Sequence, residues 1–169
     1  MGIRYYAYAF DPQNADLAVA DPDGFISADP LADAWGFPHG AESASPTFEQ
    51  AVPPRDMLYL DKAWSAFQSL TRAAEGHSAR PSFRMFEGAV VQHAYGWERF
   101  VRALVPEEMP AIAADLADMD QDWLERHLCV PPQRDSDEEL EYLTEFLGRA
   151  RRFTASLVED GRGMVYMIG

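Results

Sequence analysis

Apolar and polar residues alternate from Ile3 to Phe10, with Ile3, Tyr5, Ala7 and Ala9 on one side and Arg4, Tyr6, Tyr8 and Phe10 on the other. A period of two predicts a strand, the aromatic side chains suit a pleated surface, and Asp11-Pro12 ends the run. Asn14 to Ala20 predicts a short helix before the turn residues Asp21-Pro22-Asp23-Gly24. Between residues 25 and 56 no period holds. Pro30, Pro38, Pro46, Pro53 and Pro54 punctuate the stretch, and Leu31, Trp35 and Phe37 are expected to dock it on the core. A structureless insert of that length reads as functional or mobile.

A helical period follows. Leu60, Trp64, Phe67 and Leu70 share a face, so a helix is predicted to open at Leu60-Asp61-Lys62-Ala63-Trp64 and to stop at Gly76. Asp61 is its expected N-cap, with Trp64 and Phe67 on the core and Lys62 and Gln68 outward. Gly88 to His93 reads as a short strand, and Trp97 to Leu104 as a second strand, with a helix as the alternative. Pro106-Glu107-Glu108 starts a helix whose buried stripe is Met109, Ile112, Ala113 and Leu116, because proline and two carboxylates suit a first turn. Asp120 caps a short helix carrying Trp123, Leu124 and Leu128, which ends before Pro131-Pro132. Ser136 and Glu139 form a capping box for the longest helix, with Leu140, Leu143, Leu147, Ala150, Phe153 and Leu157 along one face and Gly161 at its end. Met164 to Ile168 is a last strand, apolar throughout and expected to be buried on both faces. Strands at both ends with helices between them predict an α+β fold. One domain spans residues 1–169: a small mixed sheet in which the terminal strands are neighbours, packed against several helices on one face.

Composition changes this picture little, whereas charge changes it more. Aromatic content of 12% argues for a well-packed core. No segment approaches the roughly 18 apolar residues of a membrane helix. The first residues lack the apolar run of a signal peptide, and Tyr6 replaces the Ser or Thr of a myristoylation motif. Cys129, the single cysteine, reads as a small core residue. These features predict a cytoplasmic protein that does not engage membranes. The net charge is −14, and residues 107–141 hold twelve acids against Arg126 and Arg134. Direct nucleic-acid binding needs clustered cations and is excluded on that ground. A basic protein partner fits, steered by long-range attraction. Glu107, Glu108, Asp115, Asp118, Asp122, Glu138 and Glu141 are the expected partner-binding acids.

Catalytic signatures are missing. His39, His77, His93 and His127 stand at no metal-ligand spacing, and there is no CxxC, so neither a metal nor a cofactor is expected. There is no GxSxG elbow and no glycine-rich phosphate loop. Lys62 is the sole lysine of the chain, and a cation near a helix start is disfavoured unless an anion holds it. A small anion site follows as one reading, with Asp61, Lys62, Arg84 and His93 as candidate ligand-binding residues.

Three landmarks stand together: Met1-Gly2-Ile3 leading into an aromatic strand, Leu60-Asp61-Lys62-Ala63-Trp64, and Gly161-Arg162-Gly163-Met164-Val165-Tyr166-Met167-Ile168 at the C-terminus. With Pro106 to Leu116 and Trp123-Leu124 in order between them, the chain resembles the YfbM-like family of bacterial proteins, a domain of unknown function. That resemblance implies a small cytosolic α+β protein and supplies no catalytic residues. The functional expectation is therefore a non-enzymatic binding or regulatory protein, immunity-like in character, that presents an acidic helical face to a basic protein. The alternative is a small-molecule-binding domain or enzyme with a cleft near Asp61.

Overall fold

A computed structural model describes residues 2–41, 45–128 and 136–169. The expectations for Cys129 and for Pro131-Pro132 lie outside the described residues. Strand β1 (Tyr5–Phe10) pairs with β6 (Gly163–Ile168) from Tyr5↔Ile168 to Phe10↔Gly163. With β2 (Met57–Asp61) and β5 (Phe100–Leu104) they form one sheet in the order β2-β1-β6-β5. The sheet, expected to be mixed, is antiparallel in every ladder. The two ends of the described chain are bonded together, Arg4 N–H donating to the Gly169 carbonyl (2.9 Å) and Gly169 N–H to that of Arg4 (3.0 Å).

All six residues of β6 are buried, as its unbroken apolar sequence requires, so both sheet faces need cover. On one side Tyr5, Ala7, Tyr166 and Ile168 join a core with helices α4 (Met109–Ala117) and α6 (Ser136–Asp160). The Tyr5 and Tyr166 rings stack 5.4 Å apart. On the other side Phe10 and Val165 pack against Ala18 of α1 (Ala15–Ala20). Tyr8, on that same face, donates to Asp33 of α2 (Pro30–Trp35) at 2.8 Å. The expectation of helices on one face is thus corrected: a strand apolar on both sides recruits two layers.

Helix α2 also corrects the picture of residues 25–56. Asp29 Oδ1 accepts from the Ala32 N–H (3.1 Å), Pro30 occupies the first turn, and Gly36 closes the helix in the left-handed conformation (φ 67°). A larger correction falls on the landmark at residue 60. Leu60 and Asp61 end strand β2, and helix α3 runs only from Trp64 to Thr71, so Asp61 is not its N-cap. Met57 to Leu60 are four successive buried residues, which a half-exposed helix cannot accommodate but a strand covered on both faces can. The helix stops at Arg72, which turns extended (ψ 161°), well before Gly76. Gln68 points inward, donating to the carbonyls of Phe86 (2.6 Å) and Gly88 (2.8 Å).

The expected strand over Trp97 to Leu104 is two strands. β3 (Val91–His93) and β4 (Gly96–Glu98) form a separate hairpin, and the chain enters β5 after Arg99. Trp97, expected on a sheet face, is 43% exposed there. Helix α4 is preceded by a 3-10 turn, Pro106–Glu108, in which Glu108 Oε2 accepts from the Val105 N–H (3.1 Å). Asp120 caps helix α5 (Gln121–His127) as expected, accepting from the Trp123 N–H (2.7 Å). Among the described residues no helix is long and apolar enough to cross a membrane.

Candidate functional site

Asp61 and Lys62 are neighbours in sequence with opposite surroundings. Asp61 adopts φ 46°, left-handed backbone that aspartate tolerates better than most residues, beside a register shift between Tyr5 and Tyr6. The turn aims its carboxylate back over the sheet. Oδ1 accepts from Arg4 Nε (3.0 Å) and the Tyr59 hydroxyl (2.9 Å), and Oδ2 from the Tyr142 hydroxyl (3.0 Å). Trp35 Nε1 donates in turn to Tyr59 Oη (3.2 Å), and the Arg4 guanidinium lies 5.3 Å over the Trp35 ring. Asp61 therefore ties β1, β2, α2 and α6 together. Burial, together with the nearby Asp61 charge, pushes the Tyr142 phenol up to about 12. Burial pushes Tyr6 up to about 12 as well, against the opposing charge of Arg4. Both phenols stay protonated at neutral pH, so neither acts as a base there, and Tyr142 serves the cluster as a hydrogen-bond donor.

Lys62 emerges on the far side of that turn. Its side chain lies against Gly2, and its backbone N–H donates to Tyr142 Oη (3.3 Å). It borders a cleft of about 490 Å³ with Ile3, Trp64, Glu139 and Tyr142. The other two ligand candidates do not converge there. Arg84 pairs with Glu108 (2.9 Å) and Glu87 (3.0 Å), and His93 is exposed on the β3–β4 hairpin. Arg4, Tyr59 and Tyr142 were missed. Arg4 and Tyr142 reach Asp61 through long-range packing, which no local pattern encodes, whereas Tyr59 lies two residues before it on β2.

The acidic candidates divide in the same way. Asp115, its side chain 10% exposed, pairs with Arg80 (2.8 Å) and accepts from the Ser82 N–H (3.0 Å). Glu108 is held by Arg84 and by the Val105 N–H. Both are internal fasteners. Glu107, Asp118, Asp122, Glu138 and Glu141 are exposed. Of these, Glu141 lines a groove of about 540 Å³ between α5 and α6, together with Gln121, Glu125, Asp137, Leu140 and Glu145. Asp137, Glu141 and Glu145 follow at four-residue spacing, a signal legible in the sequence that puts them on one helix face. Thr144 also lines the groove, and its hydroxyl is buried without a hydrogen-bond partner among the described residues.

A third polar cluster was not foreseen. Asp33, 7% exposed, accepts from Tyr8 and meets His39 Nε2 at 2.7 Å. Burial works to raise the Asp33 carboxyl, but hydrogen bonds with Ser27, His39 and Tyr8 outweigh it and hold the group below its ordinary value. The hydrogen bond to Asp33 raises His39 in turn, against the opposing effect of burial. No group of three or more His, Cys, Asp or Glu among the described residues is disposed to hold a metal ion.

No protein-family model matches the chain, and no curated protein matches it. Among solved structures it is similar to the crystal structure of YfbM from Escherichia coli, a protein of unknown function. The two are 16% identical, 99% of this chain and 100% of the other are covered, and the TM-score is 0.48.

Proposed function

We propose that this chain is a non-enzymatic binding or regulatory protein that takes a basic protein segment into the groove between α5 and α6. The observation that carries the reading is the lining of that groove. Glu125, Asp137, Glu141 and Glu145 surround an apolar contact at Leu140, in a chain of net charge −14. A Lys or Arg side chain entering there meets carboxylates at its charged head and Leu140 along its stem, the amphipathic pairing such side chains favour. The exposed Asp122 and Glu138 on the same helices extend the negative field that steers a cationic partner to the groove. An immunity-like role against a basic protein belongs to this reading. So do a bacterial cytoplasmic setting and membership in the YfbM-like family, which rest on the sequence landmarks.

The test is a pull-down with the wild-type protein and with Glu125→Lys/Glu141→Lys, at low and high salt. The expected result is a basic protein retained by the wild type, released by salt and not captured by the variant. Capture that ignores both ionic strength and charge reversal removes the reading. The cleft beside Lys62 favours a second reading, a small anionic ligand bound there without Asp61, whose carboxylate is already engaged on both oxygens.

A further inference from the structure

A third concavity, unrelated to the acidic groove in chemistry, opens where α6 crosses the edge strand β2. It holds about 270 Å³ and is lined by Ala34, Pro54, Met57, Leu58 and Tyr59, with Phe48 and Gln50 from the preceding loop and Arg149 and Arg152 from α6. The floor is fixed, since Met57, Leu58 and Tyr59 are all buried strand residues. The walls are of two kinds, one aromatic and one cationic.

The aromatic wall is held at an energetic cost. Phe48 adopts φ 59°, a left-handed backbone rare for a bulky side chain, and the residue is 71% exposed. The Phe48 N–H donates to the Trp35 carbonyl (3.0 Å), and the two rings sit 5.5 Å apart, so the strained turn is anchored rather than loose. Beyond that contact with Trp35, the largely exposed phenyl ring above an apolar floor gains further when a second apolar surface covers it.

The cationic wall stands out in so acidic a chain. Arg149 and Arg152 lie three residues apart and so share one helix face. Arg149 is paired with Glu145, with its guanidinium 4.9 Å over the Phe146 ring. Arg152 is exposed and makes no hydrogen bond or ion pair with any described residue. A planar guanidinium with no countercharge at the mouth of an apolar cleft matches a carboxylate or phosphate carried on a flat apolar body.

From this geometry we infer that the cleft binds a small aromatic anion, with its ring between Phe48 and the Met57–Tyr59 floor and its acidic group on Arg152, assisted by Arg149. The volume sets the size. It suits a bicyclic aryl acid and lies at the small end of ligand cavities. The inference is independent of the proposed protein-binding groove, because none of the acids lining that groove lines this cleft.

The experiment is isothermal titration of the intact protein with 2-naphthoate, beside its uncharged analogue 2-naphthamide. A ligand of this size in a preformed cleft is expected to bind with a dissociation constant at or below about 1 mM. Losing the charge-assisted contact weakens binding about tenfold, so 2-naphthamide and the Arg152→Gln variant are both expected to bind about ten times more weakly. Arg152 is on an exposed helix face, so the variant keeps its fold, which its thermal melt verifies. Phe48→Ala is expected to lose binding as well, while Glu125→Lys/Glu141→Lys retains it. Absence of saturable binding by 2-naphthoate up to about 5 mM overturns the inference. Equal affinity for the amide, or an unchanged affinity in Arg152→Gln, overturns it too.

Discussion

His39 shows how much one side chain can say about this molecule. It sits on the loop after α2, and its Nε2 meets the carboxylate of Asp33 at 2.7 Å. That contact raises the histidine above its ordinary 6.5. In the unfolded chain the contact is gone, so the folded form binds the proton more tightly. The stabilisation is therefore complete below the unfolded value and is lost as pH rises through the raised folded value. His39 is exposed, so the effect is modest. His39→Gln, which keeps a hydrogen-bonding nitrogen but no charge, should melt below the wild type near about pH 6 and match it by about pH 8. Melting curves that stay parallel across that range would show the pair to be silent. The same scale explains what the sequence could tell of the candidate site. In the sequence Asp61 and Lys62 stand out for their charge at an expected helix start. The carboxylate is instead a clamp for Arg4, Tyr59 and Tyr142, and the lysine is what the turn leaves outside. Residue type was visible; the partners, brought in by strand pairing and by α6, were not.

Elements were legible where one period governs a whole segment. The alternation before Phe10, the apolar run after Arg162 and the single stripe of α6 each correspond to an observed element. The errors fall where two elements abut within a few residues. Strand β2 passes into α3 across Lys62-Ala63, so the apolar positions of both merged into one apparent helix. The break at Arg99 was hidden by alternation that continues through it. Strand β6 offers the clearest element-scale test, because β1 and β5 flank it so closely. A Cβ built on Gly163 would collide with the Phe10 ring and come within 2.6 Å of the Leu104 carbonyl oxygen. The Leu104 carbonyl cannot retreat without opening the β5–β6 ladder, and the Phe10 ring is held in its own buried cluster. Gly163→Ala should therefore cost about 1–3 kcal/mol, the usual penalty for overpacking. The urea midpoint should fall at an unchanged m-value, since the unfolded state is the same. An unshifted midpoint would mean that the sheet yields at its centre.

For the whole molecule, position in the sheet decides where stability resides. β1 and β6 are central, hydrogen-bonded on both edges, and sit between two helical layers. The β3–β4 hairpin is the opposite case: its ladder joins no other strand among the described residues, and Val91, Tyr95 and Trp97 are exposed along it. A two-stranded ribbon with no buried face is marginal in water. Its amides can open without disturbing the core, whereas those of β1 and β6 must wait for the core to come apart. Native-state hydrogen exchange should therefore divide the chain. The amides of Tyr6 to Ala9 and of Val165 to Met167 should exchange only through global unfolding, and those of Val91 to Trp97 at least about a thousandfold faster. The acidic groove between α5 and α6 should fall between the two, because α6 is anchored by Leu143, Leu147 and Phe153 while α5 is held mainly by Leu124. Uniform protection would contradict this division, since the hairpin could then be slow only if something not visible in its own contacts covered it.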